Sequence, residues 1–375
     1  MLFLRKIMKN KATEKIDDNE NNSVFEVFSF DRNIVKWEDY LYKLTPVKYV
    51  EDSNFGSMHF KLENYFAPLG AGCTNGSKLR QGVYLINTYA KEKDVVISGL
   101  AMNSPSHFHI PALAKHYGKK SIEVIGNTIK MEKFNSEMLK CSSYLGSFFI
   151  KAKCNYNNVI QKTVHNYKKQ NPNTYAVEYA ITLFHRKHSA KEIFDFHKIG
   201  AYQCKNIPSN IERIVMAYSS GNCATSVFLG ILQNINNFPK LKYIDLVGTA
   251  PNAFSYLKER LIIMDQFVDI KSYDVFNFGG NNAKIKVSYY DTFFEKKYTY
   301  SQVVKSDFGD VELFGRYEAK VMDFIKNNFI HYINPDTLFW VVGADMSLDS
   351  LKSIYPDGYT GVPKELFFED MFLSF

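Results

Sequence analysis

A single lysine, Lys78, stands where an amine could do covalent chemistry. It follows the small-residue segment 75–77 and precedes the apolar, helix-like run 83–86. A lysine held on such a turn can be partly removed from water, which destabilises its ammonium form and lowers its pKa. The resulting neutral amine can form a Schiff base with an aldehyde. The turn therefore predicts a nucleophilic lysine.

A second candidate site follows the strand predicted over 213–218. Residues 219–225 are mostly small, and an apolar helix is predicted over 226–232. Such a loop is a typical phosphate site, since backbone N–H groups converge at the helix N-terminus and the helix dipole favours an anion. The candidate residues are Ser220, Gly221, Asn222, Cys223, Ala224 and Thr225. An ordinary tight turn explains the pattern equally well.

Two common nucleotide-binding motifs are absent from the sequence. The chain has no Gly-x-x-x-x-Gly-Lys-Ser/Thr motif, and no Gly-x-Gly-x-x-Gly motif follows a predicted strand. Both motifs work by bringing backbone N–H groups close to phosphates. Their absence disfavours a P-loop NTPase and a dinucleotide-binding fold.

The third candidate segment, 98–109, joins a predicted strand to a helix predicted over 110–117, with Pro111 in its first turn. Its hydroxyls and amides could hold a substrate carboxylate at the helix N-terminus. Helix capping is an equally weighted alternative for Ser106. His107 and His109 stand one residue apart without a nearby cysteine or carboxylate pattern, so no metal site is predicted.

A fourth candidate is the helix that begins near Tyr317. Its apolar positions are 321, 324 and 325, a spacing typical of one buried helix face. We expect Tyr317, at its start, to face a site. We expect Lys320 to lie in solvent or to pair with a carboxylate.

The elements that must position these residues alternate between strands and helices. Strands are predicted over 94–99, 121–127, 213–218, 242–248 and 338–343, with helices between them. This alternation favours an α/β fold with parallel sheets. A length of 375 residues is typical of two domains.

Composition limits the possible partners and location. The net charge is +7, but the lysines are scattered, so a solvated surface is favoured over a nucleic-acid partner. Five dispersed cysteines indicate a reducing compartment. Residues 1–22 are strongly polar and predict disorder, and no signal peptide or membrane-spanning run is evident. A cytoplasmic protein is expected, without a membrane partner.

The order of these segments resembles a known enzyme family. A Lys-x-Glu-Asx-Tyr-x-x-Pro motif at 61–68 precedes an Asn-Gly-x-Lys-x-Arg turn at 75–80, and a Tyr-x-x-Lys-x-Met helix begins at 317. Over roughly 44–345 the chain resembles the fold-type II enzymes that use pyridoxal 5'-phosphate (PLP), the tryptophan synthase β-subunit-like superfamily. It is most similar to the branch of 1-aminocyclopropane-1-carboxylate (ACC) deaminase and D-cysteine desulfhydrase, and to divergent phage PLP proteins.

The resemblance assigns roles residue by residue. Lys78 is implied to be the Schiff-base lysine, residues 220–225 the phosphate loop, and Tyr317 a tyrosine facing the cofactor. Substrate-binding roles are implied for Ser104, Ser106 and His107, and Asn103 could contact the cofactor ring oxygen.

The chain also departs from the family pattern. The family's Gly-Gly-Thr phosphate core is replaced at Asn222-Cys223, and its acidic partner of the ring nitrogen has no clean counterpart. Asp310 and Glu312 are the nearest candidates for that partner.

The implied function is a PLP-dependent lyase or deaminase acting on a small amino acid. Two alternatives stay open: an enzyme acting on an amino-acid adduct of a nucleic-acid base, as in phage DNA modification, and a catalytically degenerate binding protein. The resemblance implies a homodimer. It also implies a large PLP-binding domain of residues 23–81 and 176–375, with a small substrate-side domain, 82–175, inserted in it.

Overall fold

The computed structural model describes residues 36–354 and 356, apart from 71, 127–135, 251–253, 281 and 344–345. The segment 1–22, for which disorder is predicted, lies outside the described residues. Among the described residues, no helix is long and apolar enough to cross a membrane.

The strands form two separate sheets. They are β1 (Val47–Asp52), β2 (Gly56–Leu62), β3 (Val95–Gly99), β4 (Lys120–Gly126), β5 (Phe148–Ala152), β6 (Thr174–Ala176), β7 (Arg213–Tyr218), β8 (Tyr243–Gly248), β9 (Phe276–Asn277), β10 (Ile285–Tyr290) and β11 (Thr337–Val341). One sheet has seven strands in the order β1-β2-β11-β7-β8-β10-β9, and the other has four in the order β5-β4-β3-β6.

Helices connect and cover these strands. They are α1 (Ser77–Tyr89), α2 (Ser106–His116), α3 (Glu137–Tyr144), α4 (Asn157–Gln170), α5 (Ala190–Ala201), α6 (Asn222–Gln233), α7 (Phe254–Met264), α8 (Ser272–Val275), α9 (Glu318–Asn328) and α10 (Leu348–Ile354). Short 3₁₀ helices lie at Trp37–Tyr40, Glu63–Tyr65, Tyr202–Asn206, Ile235–Asn237, Asp265–Phe267 and Ile330–Tyr332.

The predicted α/β class with parallel-rich sheets is confirmed. The four-stranded sheet is entirely parallel, and in the seven-stranded sheet only β1 and β2 pair antiparallel. The smaller sheet is built from residues 95–176, between β2 and β7 of the larger one. The domain boundaries at 82 and 176 stay a prediction.

Two helices begin earlier than predicted. Helix α2 begins at Ser106 because the N–H groups of Phe108 and His109 already donate to the carbonyl of Pro105. Pro111 therefore lies inside the helix, and Ser106 is its first residue rather than its cap. Helix α6 begins at Asn222, so much of the predicted phosphate loop is a first helical turn.

The order of the parallel strands determines where a site can form. Strands β2, β11 and β7 are neighbours and run in the same direction, so their carboxyl ends meet at one edge of the sheet. Ligands of open α/β sheets bind at this edge. The α1 and α6 segments follow β2 and β7 along the chain, which brings both predicted cofactor segments to this edge.

Strand β2 also carries a fully buried lysine, Lys61. Its Nζ donates to the backbone oxygen of Thr45 and to Oδ1 of Asn206, both at 2.7 Å. Burial lowers the pKa of Lys61 to about 7, against the opposing effect of Glu63. A neutral amine has two N–H donors, which match these two acceptors.

We predict that Lys61 makes stability depend on pH. Between pH 7 and 10 the folded protein has released this proton, whereas the unfolded chain, with a lysine pKa near 10.4, still binds it. The free energy of unfolding should therefore rise with pH in this window. In Lys61→Met the rise should be shallower, as measured by urea unfolding at several pH values.

Exposed Lys242 supplies the control for this prediction. Its hydrogen bond to Glu212 raises its pKa. Its contribution to the free energy of unfolding therefore changes only at pH values above the pKa of a lysine in the unfolded chain. Lys242→Met should leave the slope between pH 7 and 10 unchanged. Equal slopes for wild type and Lys61→Met would contradict the prediction.

Candidate active site

The lysine-bearing turn is fixed to the end of β11. Gly76 precedes α1 with φ of 92°, a conformation that favours glycine. The N–H of Ser77 donates to the carbonyl of Val342 at 2.9 Å. A Cβ on Gly76 would lie 2.4 Å from that same oxygen. The turn can therefore contact β11 only because residue 76 is glycine, and this contact sets the position of Lys78 in the first turn of α1.

Lys78 itself lines a pocket and is half-buried. Burial lowers its pKa to about 8, and the nearby Cys223 thiol opposes this effect. A larger fraction of its amine is therefore neutral near pH 8 than for a lysine in water. This is the protonation state that a nucleophilic lysine needs.

A chain of buried polar groups joins the lysine helix to the phosphate helix. Cys223 Sγ donates to Ser77 Oγ at 3.4 Å, and Ser77 Oγ donates to Glu63 Oε2 at 3.4 Å. The other carboxylate oxygen of Glu63 accepts from Thr45 Oγ1 at 2.5 Å. Glu63 belongs to the Lys-x-Glu-Asx-Tyr-x-x-Pro motif at 61–68, and these hydrogen bonds help to hold α1 and α6 together.

Helix α6 presents its N-terminus to the same pocket. Gly221 precedes the helix in the left-handed conformation, with φ of 79°, and a Cβ there would lie 2.6 Å from the hydroxyl of Tyr218. The N–H of Thr225 donates to the carbonyl of Gly221 at 2.8 Å. The N–H groups of the residues before Thr225 have no earlier carbonyl within the helix, which makes them available to an anion.

Two side chains of the predicted phosphate loop are hydrogen-bonded to other groups of the protein. Asn222 Nδ2 donates to the carbonyls of Ala180 and Ile181 at 3.1 and 2.9 Å, and its Oδ1 accepts from Thr182 at 3.0 Å. Thr225 Oγ1 donates to the carbonyl of Gly221 at 2.8 Å. These residues would therefore contact an anion through their backbone.

The pocket brings most of the predicted cofactor residues together. Its lining is Ser77, Lys78, Pro105, Ala217, Tyr218, Ser219, Ser220, Gly221, Asn222, Cys223, Ala224, Tyr317, Val342 and Gly343. Lys78, Tyr317 and the start of α6 therefore face one space.

Tyr317 lies directly before α9 and is 6% exposed. Its hydroxyl is 3.0 Å from that of Tyr300. Burial raises the pKa of Tyr317 well above its ordinary value, so the phenol keeps its proton. Our expectation for Lys320 was wrong: it is fully buried, and its Nζ donates to the carbonyl of Thr299 at 2.7 Å.

The sequence missed a buried carboxylate beside the pocket. Glu318 Oε1 accepts the N–H groups of Val342 and Gly343 at 2.9 and 3.0 Å, and both of these residues line the pocket. Asp310 and Glu312, the predicted partners of the ring nitrogen, are instead exposed, and Asp310 pairs with Lys48. In the sequence, the position of Glu318 directly after Tyr317 was the signal that could have indicated this carboxylate.

The segment predicted to bind substrate is only partly at the pocket. Pro105 lines it, and the neighbouring Ser104 side chain lies near enough to Tyr300 to lower its pKa against the larger raising effect of burial. Asn103 is half-buried in a turn, and Ser106 is fully buried at the start of α2. Their predicted contacts with cofactor or substrate stay predictions.

His107 is held by other groups of the protein. Its side chain is fully buried, with Nδ1 2.8 Å from Glu123 Oε2 and Nε2 3.2 Å from the carbonyl of Leu100. Both ring nitrogens already have partners, so the geometry favours a structural role over the predicted substrate contact. Its Leu100 bond closes the loop that contains Ser104.

His109 also has a partner, Thr74 Oγ1, 2.6 Å from its Nδ1. Burial and nearby Lys78 lower the pKa of His109 to about 3, so this imidazole is neutral. Within the described ranges, no group of three or more His, Cys, Asp or Glu side chains could hold a metal ion.

Comparison with known proteins places the chain in a family. No family model matches it. It is 30% identical over 381 aligned positions to the O-seryl-dTMP PLP-dependent decarboxylase of Salmonella phage ViI, covering 89% of each protein. Among solved structures, it is similar to an ACC deaminase homologue (TM-score 0.60, 16% identity, 85% of this chain and 99% of that one). It is also similar to apo diaminopropionate ammonia lyase of Escherichia coli (TM-score 0.50, 14% identity, 92% of this chain and 96% of that one).

These matches agree with the resemblance stated from the sequence. The solved structures share the α/β fold at low identity, whereas the phage decarboxylase matches along most of its length. The chain belongs to the family of fold-type II PLP-dependent enzymes that includes this phage decarboxylase.

Proposed function

We propose that this protein is a PLP-dependent decarboxylase acting on an amino acid joined to a nucleotide. One observation carries the proposal: Lys78 and the N-terminus of α6 line one pocket, in a chain 30% identical to a decarboxylase named for such a substrate. Loss of carbon dioxide from a carbon–carbon bond is a lyase reaction, so this proposal keeps the reaction class that the sequence predicted.

The residues of the pocket fit PLP. Lys78 supplies an amine of lowered pKa for the aldehyde, and the first turn of α6 supplies N–H groups for the phosphate. Gly221 lets the phosphate-binding turn pack against Tyr218, whose hydroxyl would lie 2.6 Å from a Cβ at this position. Glu318 is the buried carboxylate nearest in sequence to Tyr317 and is our candidate partner of the ring nitrogen, in place of Asp310 and Glu312.

PLP, when bound, supplies an electron sink for the bond that breaks at the substrate α-carbon. Lys78 would hold the PLP aldehyde through its Nζ until a substrate amine took that place. Its Nζ would then be free in the same pocket and, with a pKa of about 8, would take up the proton that the substrate ammonium loses on replacing it. As the bond between the α-carbon and the carboxylate breaks, carbon dioxide leaves. A proton from Lys78 Nζ can then take its place on the α-carbon.

Tyr317 serves as a neutral hydrogen-bond donor in this pocket. Its raised pKa keeps the hydroxyl protonated, and with Tyr300 as the donor across their 3.0 Å contact the Tyr317 proton is left for a substrate oxygen. Such a group orients a substrate oxygen without adding charge. Ser104, which lies near Tyr300, belongs to the loop that the sequence assigned to the substrate carboxylate.

The sequence left three functions open. The identity to the phage decarboxylase favours the amino-acid adduct over a free small amino acid. The lowered pKa of Lys78 and the surrounding pocket argue against a degenerate binding protein. A homodimer and a cytoplasmic location stay predictions, and a nucleic-acid partner stays the less favoured alternative.

The proposed function is tested by incubating the purified protein with PLP and O-seryl-dTMP. Mass spectrometry should detect loss of carbon dioxide from the nucleotide, and free serine should react much more slowly. Lys78→Ala should abolish the reaction, whereas Lys258→Ala, at an exposed site on α7, should not. Faster conversion of free serine would overturn the proposed substrate, and no conversion of either would overturn the decarboxylase.

Substitution of Gly221 should weaken PLP binding. Gly221→Ala adds a Cβ at φ of 79°, 2.6 Å from Tyr218, against the phosphate-binding turn. Gly279→Ala is a matched control, because Gly279 also has positive φ, 85°, but its Cβ would meet nothing within 4 Å. We expect affinity to fall by at least about tenfold for Gly221→Ala only, measured by absorbance titration. Similar losses in both variants would indicate backbone strain rather than displacement of the turn by the clash with Tyr218.

Tyr317→Phe should slow turnover more than it lowers stability. Removal of the hydroxyl leaves the packed ring and should reduce kcat by roughly one to two powers of ten. Tyr298→Phe is the control, since Tyr298 is 9% exposed and its hydroxyl bonds to Asp323, outside the pocket lining among the described residues. A large fall in Tm with unaltered kcat would show that Tyr317 is only a core residue.

A further inference from the structure

A buried arginine lies behind the phosphate-binding turn. Arg260, on α7, is 6% exposed. Its Nη1 donates to the carbonyl of Ser220 at 3.1 Å, and a Cβ on Gly221 would lie 3.5 Å from the same nitrogen. Ser220 and Gly221 both line the pocket. A guanidinium therefore lies directly against the segment proposed to hold the PLP phosphate.

This guanidinium has no ion-pair partner in the part of the chain that the structure describes. No carboxylate oxygen of a described residue lies within 4.0 Å of it, and neighbouring Glu259 pairs with His185. Burial lowers the pKa of Arg260, yet arginine stays charged in proteins. Buried charges are normally paired. A missing anion is therefore implied beside Arg260.

The groups around Arg260 do not supply that anion at close range: the Glu259 carboxylate raises the pKa of Arg260 but lies beyond 4.0 Å and pairs with His185. Burial raises the pKa of the Tyr218 hydroxyl, which is therefore neutral. Burial and Arg260 itself lower the pKa of His197, so that imidazole carries no charge either.

The phosphate loop, in turn, lacks a charged side-chain donor, since Ser219 and Ser220 offer only neutral hydroxyls. Asn222 and Thr225 use their side chains within the protein, and the Cys223 thiol donates to Ser77. The family's Gly-Gly-Thr core is absent here. The α6 N-terminus supplies only partial positive charge, whereas a phosphate carries up to two negative charges. The loop itself carries no full positive charge, whereas the Arg260 guanidinium behind it does.

We propose that Arg260 is the charge partner of the cofactor phosphate, acting across the Ser220–Gly221 turn, and that it gives this protein its preference for PLP over pyridoxal. This inference rests on the proposed function. Arg260 acts through the turn and is a positioning and electrostatic residue rather than a catalytic one. Its effect is on the affinity for the phosphate.

The test compares PLP with pyridoxal, which lacks the phosphate, in absorbance titrations of full-length protein freed of cofactor. Arg260→Gln keeps an N–H donor for the Ser220 carbonyl but removes the charge. It should lower PLP affinity by roughly tenfold and leave pyridoxal affinity unchanged. Arg260→Lys keeps the charge and should retain most of the PLP affinity. Lys258→Gln, on the exposed side of the same helix, should change neither.

The outcomes separate the two proposals. Wild-type protein that binds neither ligand would overturn the proposed function. Wild-type binding of PLP with the same affinity in Arg260→Gln would overturn only the role of Arg260. Equal losses of PLP and pyridoxal affinity would also overturn it, since that pattern indicates a distorted turn. If Arg260→Gln does not fold, Arg260→Met provides a second charge-removing variant, and equal PLP affinity in the Lys and Met variants would overturn the charge role.

Discussion

The contact between two glycine-containing turns determines the geometry of this site. Gly76 and Gly343 approach so closely that a Cβ on Gly343 would lie 2.7 Å from Gly76 Cα. The Ser77 N–H bond to Val342 then joins α1 to the end of β11. Because β11 lies beside β7 in the parallel sheet, the same contact brings Lys78 opposite the α6 N-terminus. The pocket between them follows from this packing.

Burial lowers the pKa values of several lysines, but burial alone does not identify the nucleophile. Lys61, Lys78 and Lys320 all have lowered pKa values, about 7, 8 and 8. Lys61 and Lys320 donate to carbonyl and amide oxygens of the protein, so their amines have structural partners. Lys78 instead lines the pocket. Access to a ligand, together with the lowered pKa, makes Lys78 the reactive lysine of this account.

Much of the fold and half of the site could be predicted from the sequence. Buried strands with helices between them indicated the parallel sheets, and the turns at Lys78 and Gly221 were recognisable because local conformation requires small residues there. The remaining features depend on long-range contacts that spacing does not reveal. Glu123 comes from a neighbouring strand to bind His107, and Arg260 reaches Ser220 from a separate helix. Asp310 and Glu312 had suitable chemistry, but their exposure is a tertiary property.

The most direct test of the account is to locate the lysine that binds PLP covalently. Borohydride reduction of the purified protein with PLP, followed by digestion and peptide mass spectrometry, fixes the cofactor to the lysine it occupies. The added mass should be found on the peptide containing Lys78. Label on Lys61 or Lys320, or no stable label on any peptide, would contradict it.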